Sequence, residues 1–173
     1  MNSILEFIYP KTCAACTAIK EEGGLFCLLC RETIEFIDFQ GRCFRCFSLK
    51  RRGFCDFCRK KYTPFVRKTA LFESMTPICR LWNDQDRFAK TIAAFFVLRF
   101  LTTRSEYPDY VFSEKNSQKI GKEVASILKI PRVKYYRKIS AGSKVLWIAE
   151  KMDSEEIPHF LLLSKVHYLA FKL

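Results

Sequence analysis

Four Cys-x-x-Cys pairs lie in the first third of this chain, and they decide how its amino-terminal part folds: Cys13-Ala14-Ala15-Cys16, Cys27-Leu28-Leu29-Cys30, Cys43-Phe44-Arg45-Cys46 and Cys55-Asp56-Phe57-Cys58. Two residues between cysteines place both thiolates on one tight knuckle turn, and four such thiolates close a structural Zn²⁺ site. Ten residues separate the first two pairs and eight separate the last two, so each gap suits a short hairpin. The spacing therefore predicts two zinc ribbons in tandem, with one structural zinc ion in each.

Other uses of paired cysteines fit this chain less well. A disulfide framework needs an oxidising compartment, and residues 1–10 lack the basic start, apolar stretch and cleavage site of a signal peptide. A thioredoxin-like role is typical of one pair rather than four. Interleaved pairing, first knuckle with third and second with fourth, would also give two zinc sites. Cys79 lies outside the pattern on an apolar stretch, which is typical of a small buried thiol.

The charge balance favours polyanionic partners. The chain has 173 residues and a formal net charge of +12, from 30 basic and 18 acidic residues. Eight bound thiolates and two zinc ions would reduce this to about +8, which is still clearly basic. Nucleic acid is the first partner such a charge favours, and an acidic membrane surface the second. The longest apolar run, residues 92–101, is too short to span a membrane. Reduced thiols, the lack of an export signal and the lack of a membrane-spanning run together predict a cytoplasmic protein.

The second predicted ribbon combines cationic and aromatic side chains. Such a combination can grip phosphates and stack bases, which predicts a surface for DNA, single-stranded rather than duplex. Alternatively, the aromatic rings pack the ribbon and the charges keep it soluble. The candidate nucleic-acid-binding residues are Arg45, Lys50, Arg51, Arg52, Arg59, Lys60 and Lys61, with Phe44, Phe47 and Phe54 as stacking surfaces.

The rest of the chain predicts an α/β domain. Around the zinc region, short helices are expected at residues 3–9 and 31–39, and Thr63-Pro64 marks a boundary between domains at 1–62 and 63–173. Beyond it, strand and helix patterns alternate, which predicts a mostly parallel sheet. In the long helix, Leu98 to Leu101 extend the apolar stripe. The expected strands are 67–72, 110–113, 133–136, 144–149 and 166–173, and the expected helices are 77–83, 85–103, 117–129 and 158–164.

The order of these parts resembles the ComF family, over nearly the whole chain and most specifically in the zinc half. The segments that carry the resemblance are Phe7-Ile8-Tyr9-Pro10-Lys11-Thr12-Cys13-Ala14-Ala15-Cys16, Phe26-Cys27-Leu28-Leu29-Cys30, Phe54-Cys55-Asp56-Phe57-Cys58, Tyr107-Pro108-Asp109-Tyr110-Val111 and Lys144-Val145-Leu146-Trp147-Ile148. The resemblance implies a type I phosphoribosyltransferase-like domain behind the zinc region. It also implies a role in natural transformation, the handling of incoming DNA by competent bacteria.

The catalytic half departs from that family's pattern. The family ends a strand with two acidic residues that bind ribose, and here these positions hold Ala149 and Glu150. A phosphate-binding loop of threonines and glycine should follow, yet residues 153–156 are Asp153, Ser154, Glu155 and Glu156, whose carboxylates would repel phosphate. A second substrate loop is also missing, with only Gln118 matching it. The loss of both loops predicts a non-catalytic protein, with Glu150 as the one remnant that could hold Mg²⁺ or a ribose.

Three functions therefore compete. The first is non-catalytic handling of single-stranded DNA through the second ribbon. The second is an adaptor whose ribbons dock a competence or helicase protein. The third is a working phosphoribosyltransferase. The two histidines add no further site, because His167 lies in an alternating strand and His159 has no nucleophile near it in sequence.

Overall fold

An α/β domain follows an amino-terminal zinc module, as the sequence predicts. The computed structural model describes residues 12–20, 23–49, 53–60, 65–103, 106–134, 138–152 and 165–172. The predicted helices at 3–9 and 158–164 lie outside these ranges, as does the predicted boundary at residues 62 and 63. The described elements are β1 (Phe65–Phe72), a 3₁₀ segment (Pro77–Asp84), α3 (Gln85–Thr102), β2 (Tyr110–Ser113), α4 (Gln118–Leu128), β3 (Arg132–Val133), β4 (Lys144–Lys151) and β5 (Lys165–Lys172), preceded in the zinc module by α1 (Leu28–Glu32) and α2 (Asp56–Lys60).

All pairings in the described sheet are parallel, and the strand order is β1-β5-β4-β2-β3. The crossovers from β1 to β2 and from β2 to β3 both move in the same direction across this order. Right-handed crossovers that move in one direction place their helices on one face of the sheet. Accordingly, α3 and α4 pack side by side and share one core with that face.

The two central strands are buried on both faces. In β4, Leu146 and Ile148 belong to the core under the helices, whereas Val145 and Trp147 face a second core on the opposite side. β5 is buried in the same way, although its sequence alternates as a half-exposed strand would. The helix α4 comes close to β2 because residue 121 is glycine, where a Cβ would collide with the Ser113 side chain.

Two predictions about helices are wrong. The helix expected at residues 31–39 is instead the earlier, shorter α1, and residues 34–39 have no regular secondary structure. In α3, Leu98 and Leu101 are 52% and 57% exposed, whereas Arg99 is buried. The helical period explains this, because Phe88, Ile92, Phe96 and Arg99 recur every three or four residues and form the inward face.

The zinc module covers the free edge of β1. The segment of residues 34–39, here called the linker, runs beside this strand, and the Ile37 amide donates a hydrogen bond to the Leu71 carbonyl (2.9 Å). Nearby, the Lys68 amide of β1 donates to the Phe44 carbonyl of the second ribbon (3.0 Å). These bonds satisfy backbone groups that an edge strand would otherwise expose.

The two ribbons lie against opposite sides of the sheet. Ala14, Leu25 and Phe26 from the first ribbon pack against the core under the helices. Phe47 from the second ribbon belongs to the core on the other face. The zinc module therefore contacts both faces of the α/β domain at the β1 edge of the sheet.

An aromatic cluster under α3 should supply much of the stability of the α/β domain. Phe96 is fully buried and its ring centroid lies 6.1 Å from that of Phe171 and 6.4 Å from that of Trp82. We expect Phe96→Ala to lower the free energy of unfolding by about 3–5 kcal/mol, because it removes buried area and leaves a cavity. Denaturant unfolding of the zinc-loaded protein, followed by tryptophan fluorescence, measures this. Leu98→Ala, on the exposed side of the same helix, is the control, and an equal effect of both variants would contradict the assignment of the inward face.

Candidate metal centres and nucleic-acid interface

The two ribbons repeat one backbone arrangement, here called ribbon 1 (residues 12–32) and ribbon 2 (residues 42–60). In ribbon 1 the Cys13 amide donates to the Ala18 carbonyl at 2.8 Å, and in ribbon 2 the Cys43 amide donates to the Ser48 carbonyl at 2.8 Å. A short antiparallel bridge closes each first knuckle. Each second knuckle leads into a one-turn helix, α1 or α2. The Cys-x-x-Cys spacing within each knuckle thus produces the same local fold twice, although the gap between knuckles is two residues shorter in ribbon 2.

Each first knuckle turns through a left-handed residue. Thr17 has φ 65° and Phe47 has φ 64°. This conformation costs free energy for any residue with a Cβ, about 1–3 kcal/mol. At Phe47 the buried ring offsets the cost, since burying a phenylalanine contributes about as much.

The cysteines form two separate quartets, each made of consecutive pairs. One contains Cys13, Cys16, Cys27 and Cys30, the other Cys43, Cys46, Cys55 and Cys58, and all sulfur atoms in a quartet lie within 4.8 Å of one another. The Sγ atoms of Cys16 and Cys27 are 3.7 Å apart, and those of Cys46 and Cys55 are 3.6 Å apart. Four sulfurs at about 2.3 Å from a tetrahedral zinc ion are ~3.8 Å apart. A disulfide would bring two sulfurs to about 2.05 Å.

The geometry of both quartets therefore fits structural zinc and confirms the two predicted ions. It excludes the interleaved pairing. All nine cysteines lie in the described ranges, and none forms a disulfide there.

Hydrogen bonds from backbone amides favour the thiolate form of some of these cysteines, which is the form that binds metal. Burial opposes ionisation of Cys13 and Cys43, but amide hydrogen bonds outweigh it and lower the pKa of each to about 6. At the start of α2, the Cys58 amide donates to Cys55 Sγ at 3.4 Å and lowers the pKa of Cys55. Burial and then the neighbouring sulfurs raise the pKa of Cys58.

Within the second quartet the pKa of Cys43 is lowered while that of Cys58 is raised, because burial and then the repulsion between neighbouring thiolates oppose ionisation of all four. Burial and the neighbouring sulfurs raise the pKa of Cys30 in ribbon 1 as well. A divalent ion with a preference for thiolate relieves the repulsion in both ribbons. When bound, zinc fixes the two knuckles of a ribbon relative to each other.

Cys79 is a buried thiol outside both quartets. Its Sγ lies 3.4 Å from the Glu73 carbonyl and 3.4 Å from Thr76 Oγ1, and burial raises its pKa. These contacts agree with the structural role expected from the sequence.

Metal analysis should therefore give two zinc ions per chain. Cys43→Ser should reduce this to one, because three thiolates no longer complete the second tetrahedron. The variant should also unfold more easily in its α/β domain, since ribbon 2 contributes Phe47 to the core of the sheet. Zinc content by plasma mass spectrometry and denaturant unfolding measure the two effects. Cys79→Ser should keep both ions, and loss of zinc from that control would contradict the ligand assignment.

The exposed face of ribbon 2 carries aromatic rings backed by arginines. Phe44 and Phe54 are 41% and 38% exposed, and their rings meet edge to face with centroids 6.1 Å apart. The Arg45 guanidinium lies 4.9 Å from the centre of the Phe54 ring and donates to the Cys58 carbonyl (3.0 Å). The Arg67 guanidinium, from β1, lies 5.0 Å from the centre of the Phe44 ring. We call these four side chains the aromatic platform.

The other predicted nucleic-acid residues have different positions. Arg59 and Lys60 are exposed in α2, where Arg59 pairs weakly with Asp56 at 3.8 Å. Phe47 departs from its expected role, because it is 2% exposed and packs against the sheet, so its ring offers no face to a base. Four predicted residues, Lys50, Arg51, Arg52 and Lys61, lie outside the described ranges.

Sequence reasoning missed a buried lysine beside the second metal site. Lys68 is 5% exposed, and its ammonium lies 4.1 Å from the centre of the Phe65 ring. Burial lowers its pKa, while the negative charges of Cys46 and Cys58 act in the opposite direction. A zinc ion with four thiolates carries a net charge of about −2. Lys68 compensates part of that charge from inside the sheet. A lysine inside the predicted strand 67–72, just before its apolar residues 70–72, is the sequence signal that could have revealed it.

At the carboxyl end of the sheet, Glu150 is engaged in an ion pair. Its Oε1 lies 2.9 Å from Lys172 Nζ, and both side chains are mostly buried. Ala149 is fully buried and brings no polar group. Gln118 begins α4, where its carbonyl accepts a hydrogen bond from Arg132 (2.6 Å). The predicted loop at residues 153–156 and His159 lie outside the described ranges.

Comparison with known proteins identifies the zinc module. The double zinc ribbon domain family matches residues 4–49, which include the whole first quartet and the first knuckle of the second. No curated protein and no solved structure matches the chain. The chain thus carries a metal-binding double zinc ribbon, a type of module that can contact nucleic acid or protein. Among the described residues, no helix is both long and apolar enough to cross a membrane.

His167 is structural and should make stability depend on pH. It is 5% exposed in β5, with its ring packed edge to face against Phe100. Burial, and then the charge of Arg67, lower its pKa from 6.5 to about 4, against the opposing charge of Glu106. Between these two pH values the unfolded chain binds a proton that the folded chain does not, so stability falls as the pH falls from 6.5 to 4.

We expect His167→Gln to reduce this loss of stability. The measurement is denaturant unfolding of both proteins at several pH values between 7.5 and 4.5 with zinc present. Acid release of zinc affects both proteins equally and cancels in the difference. Identical pH dependence of the two proteins would contradict a neutral buried His167.

Proposed function

We propose that this protein binds single-stranded DNA through ribbon 2 and takes part in handling incoming DNA, as its resemblance to the ComF family implies. The observation that carries the proposal is the aromatic platform, in which exposed phenylalanine rings of the zinc module lie beside Arg45 of the same module and Arg67 of β1. Binding of single strands combines such rings with positive charge.

The rings of the platform are suited to stacking. Phe44 and Phe54 keep about two fifths of their surface exposed while each is held from one side by an arginine. Because zinc fixes the knuckles and the arginines fix the rings, little conformational entropy is lost when a base stacks. A stacked base contributes about 1–3 kcal/mol, and any base can do so.

Charge on the adjacent helix supports the same function. Arg59 and Lys60 are exposed at the end of α2, next to Cys58 of the same quartet. Phosphates bound by such side chains release counterions, and for single strands the slope of log K against log[salt] is about −0.7 per phosphate.

Fluorescence anisotropy with labelled oligo(dT) tests the proposal. We expect affinity to fall steeply with salt, Phe54→Ala to weaken binding by about 1–3 kcal/mol, and Arg59→Glu with Lys60→Glu to flatten the salt dependence. The control is Lys90→Glu with Lys122→Glu, the same charge change at exposed positions of α3 and α4. A flat salt response of the wild type, or equal effects of both double variants, would count decisively against DNA binding by ribbon 2.

An adaptor function is the second candidate, and exposed apolar side chains on ribbon 1 favour it. Ile19, Leu28 and Leu29 are 71%, 51% and 74% exposed. Exposed apolar groups on a zinc ribbon are suited to docking a protein partner, such as a helicase or a competence protein. Under this alternative, Leu28→Asp with Leu29→Asp would abolish binding to a purified partner, and the wild type would show no salt-dependent binding of DNA.

The proposal gives Glu150 no catalytic role. Its carboxylate is neutralised by Lys172 within the sheet, so magnesium or a ribose would have to displace that ion pair. Calorimetry with phosphoribosyl pyrophosphate and Mg²⁺ tests this point, and we expect no heat of binding.

A further inference from the structure

A cleft separates ribbon 2 from the amino-terminal ends of β1 and β5. Its volume is about 460 Å³, which is within the usual range for small-ligand sites. One wall belongs to the aromatic platform, and the other consists of residues from the sheet and from the end of α3. The lining residues are Phe44, Phe54, Val66, Arg67, Thr103, Glu106, Lys165 and His167.

The cleft brings ring surfaces and cations together in one space. Phe44 and Phe54 present the rings, while Arg67 and the exposed Lys165 present the charges. Arg67 is held in place by a hydrogen bond to the Thr103 carbonyl (3.1 Å) and by the Phe39 ring, 5.4 Å from its guanidinium carbon. This combination of a stacking surface and a fixed cation suits a base with its attached phosphate.

The two other ionisable side chains of the cleft, Glu106 and His167, do not strongly repel an anion. Glu106 is the acidic residue of the lining, and its carboxylate is paired with Lys144 Nζ at 3.2 Å. His167 adds a neutral imidazole, since it is buried deep in the sheet. With Arg67 and Lys165 charged and Glu106 compensated, the cleft has an excess of positive charge.

Positive charge continues from the cleft along the sheet. Lys144 and Lys165 are register partners at the start of β4 and β5, so their backbones are about 4.8 Å apart. Beyond them, beside β2 and β3, a second cavity of about 480 Å³ has three basic residues in its lining, Arg132, Lys134 and Lys138, together with Tyr110, Pro131 and Val133. These basic side chains outnumber the carboxylates of Glu106 and Asp109 at the same edge, and the excess of positive charge favours a polyanion.

We propose that the cleft holds one nucleotide of the bound single strand and that the strand then continues over Lys165 and Lys144 along the amino-terminal edge of the sheet. This inference rests on the proposed function and extends it, because it assigns DNA contacts to the α/β domain. The DNA would cross the junction of the two domains, with a base against Phe44 or Phe54 and phosphates at Arg67, Lys165 and Lys144.

The test compares two double variants with a common control. Lys144→Glu with Lys165→Glu removes the contacts proposed here, Arg59→Glu with Lys60→Glu removes those of ribbon 2 alone, and Lys90→Glu with Lys122→Glu controls for net charge. Oligo(dT) affinity is measured against salt concentration for each. We expect the Lys144 and Lys165 variant to reduce the salt slope by about 1.4, since each lost phosphate contact contributes about 0.7.

The outcomes separate this inference from the proposed function. If only the Arg59 and Lys60 variant reduces the slope, the amino-terminal edge does not contact DNA and the inference is wrong, while ribbon 2 still binds DNA. If the wild type binds without salt dependence, both proposals fail. Because Lys144→Glu also places a second carboxylate beside Glu106, the neutral variant Lys144→Gln with Lys165→Gln is measured as well, and the melting temperature of each variant checks folding.

A second measurement locates the DNA directly. Oligo(dT) is crosslinked to the wild type by ultraviolet light, and the crosslinked peptides are mapped by mass spectrometry. The inference predicts crosslinks in the peptides that contain Phe44 or Phe54 and in the peptide that begins β5. Crosslinks confined to ribbon 2 would overturn it.

Discussion

The rest of this structure depends on covering the outer edge of β1, whose backbone amides and carbonyls need hydrogen-bond partners. A parallel sheet whose outer strand showed unpaired amides and carbonyls would be open to aggregation. Here Ile37 and Phe44 supply backbone partners to that edge, and both lie in or next to a segment held in place by zinc. Zinc binding contributes about 10–16 kcal/mol per structural site. The metal therefore stabilises more than its own ribbon, since it also holds the strip of chain that completes the sheet.

Buried cations join the same two parts of the molecule. Arg99 reaches from α3 to the Ile37 carbonyl, and its guanidinium carbon lies 3.8 Å from the centre of the Phe39 ring. Burial lowers its pKa to about 10, so the side chain remains charged at neutral pH. Lys68 faces the thiolates of ribbon 2 from β1. Each cation would be costly to bury alone, and each is placed where the zinc module brings a carbonyl, a ring face or negative charge.

Local patterns in the sequence predicted more than long-range contacts did. Cysteine spacing predicted the metal and its ligands correctly, because each knuckle is formed by four consecutive residues. The strand at 110–113 and the buried character of β4 followed from short apolar runs. The expected helix at 31–39 failed because that segment bonds to a strand thirty or more residues away, which no local period reveals. The stacking role predicted for Phe47 was wrong, and the burial of Lys68 was missed, for the same reason: both side chains are buried where ribbon and sheet meet.

The differences between the two ribbons indicate a division of labour. Their backbones turn at equivalent residues, Thr17 and Phe47, yet the second places a ring there that enters the core of the sheet. The residue after the first cysteine also differs. It is Ala14 in ribbon 1, which packs against the helical layer, and the exposed Phe44 in ribbon 2. Metal binding needs neither difference, because the quartets have the same ligands and the same spacing within each knuckle. The side chains between the cysteines are thus free to vary, and in ribbon 2 they anchor the module on one side while presenting rings and charge on the other.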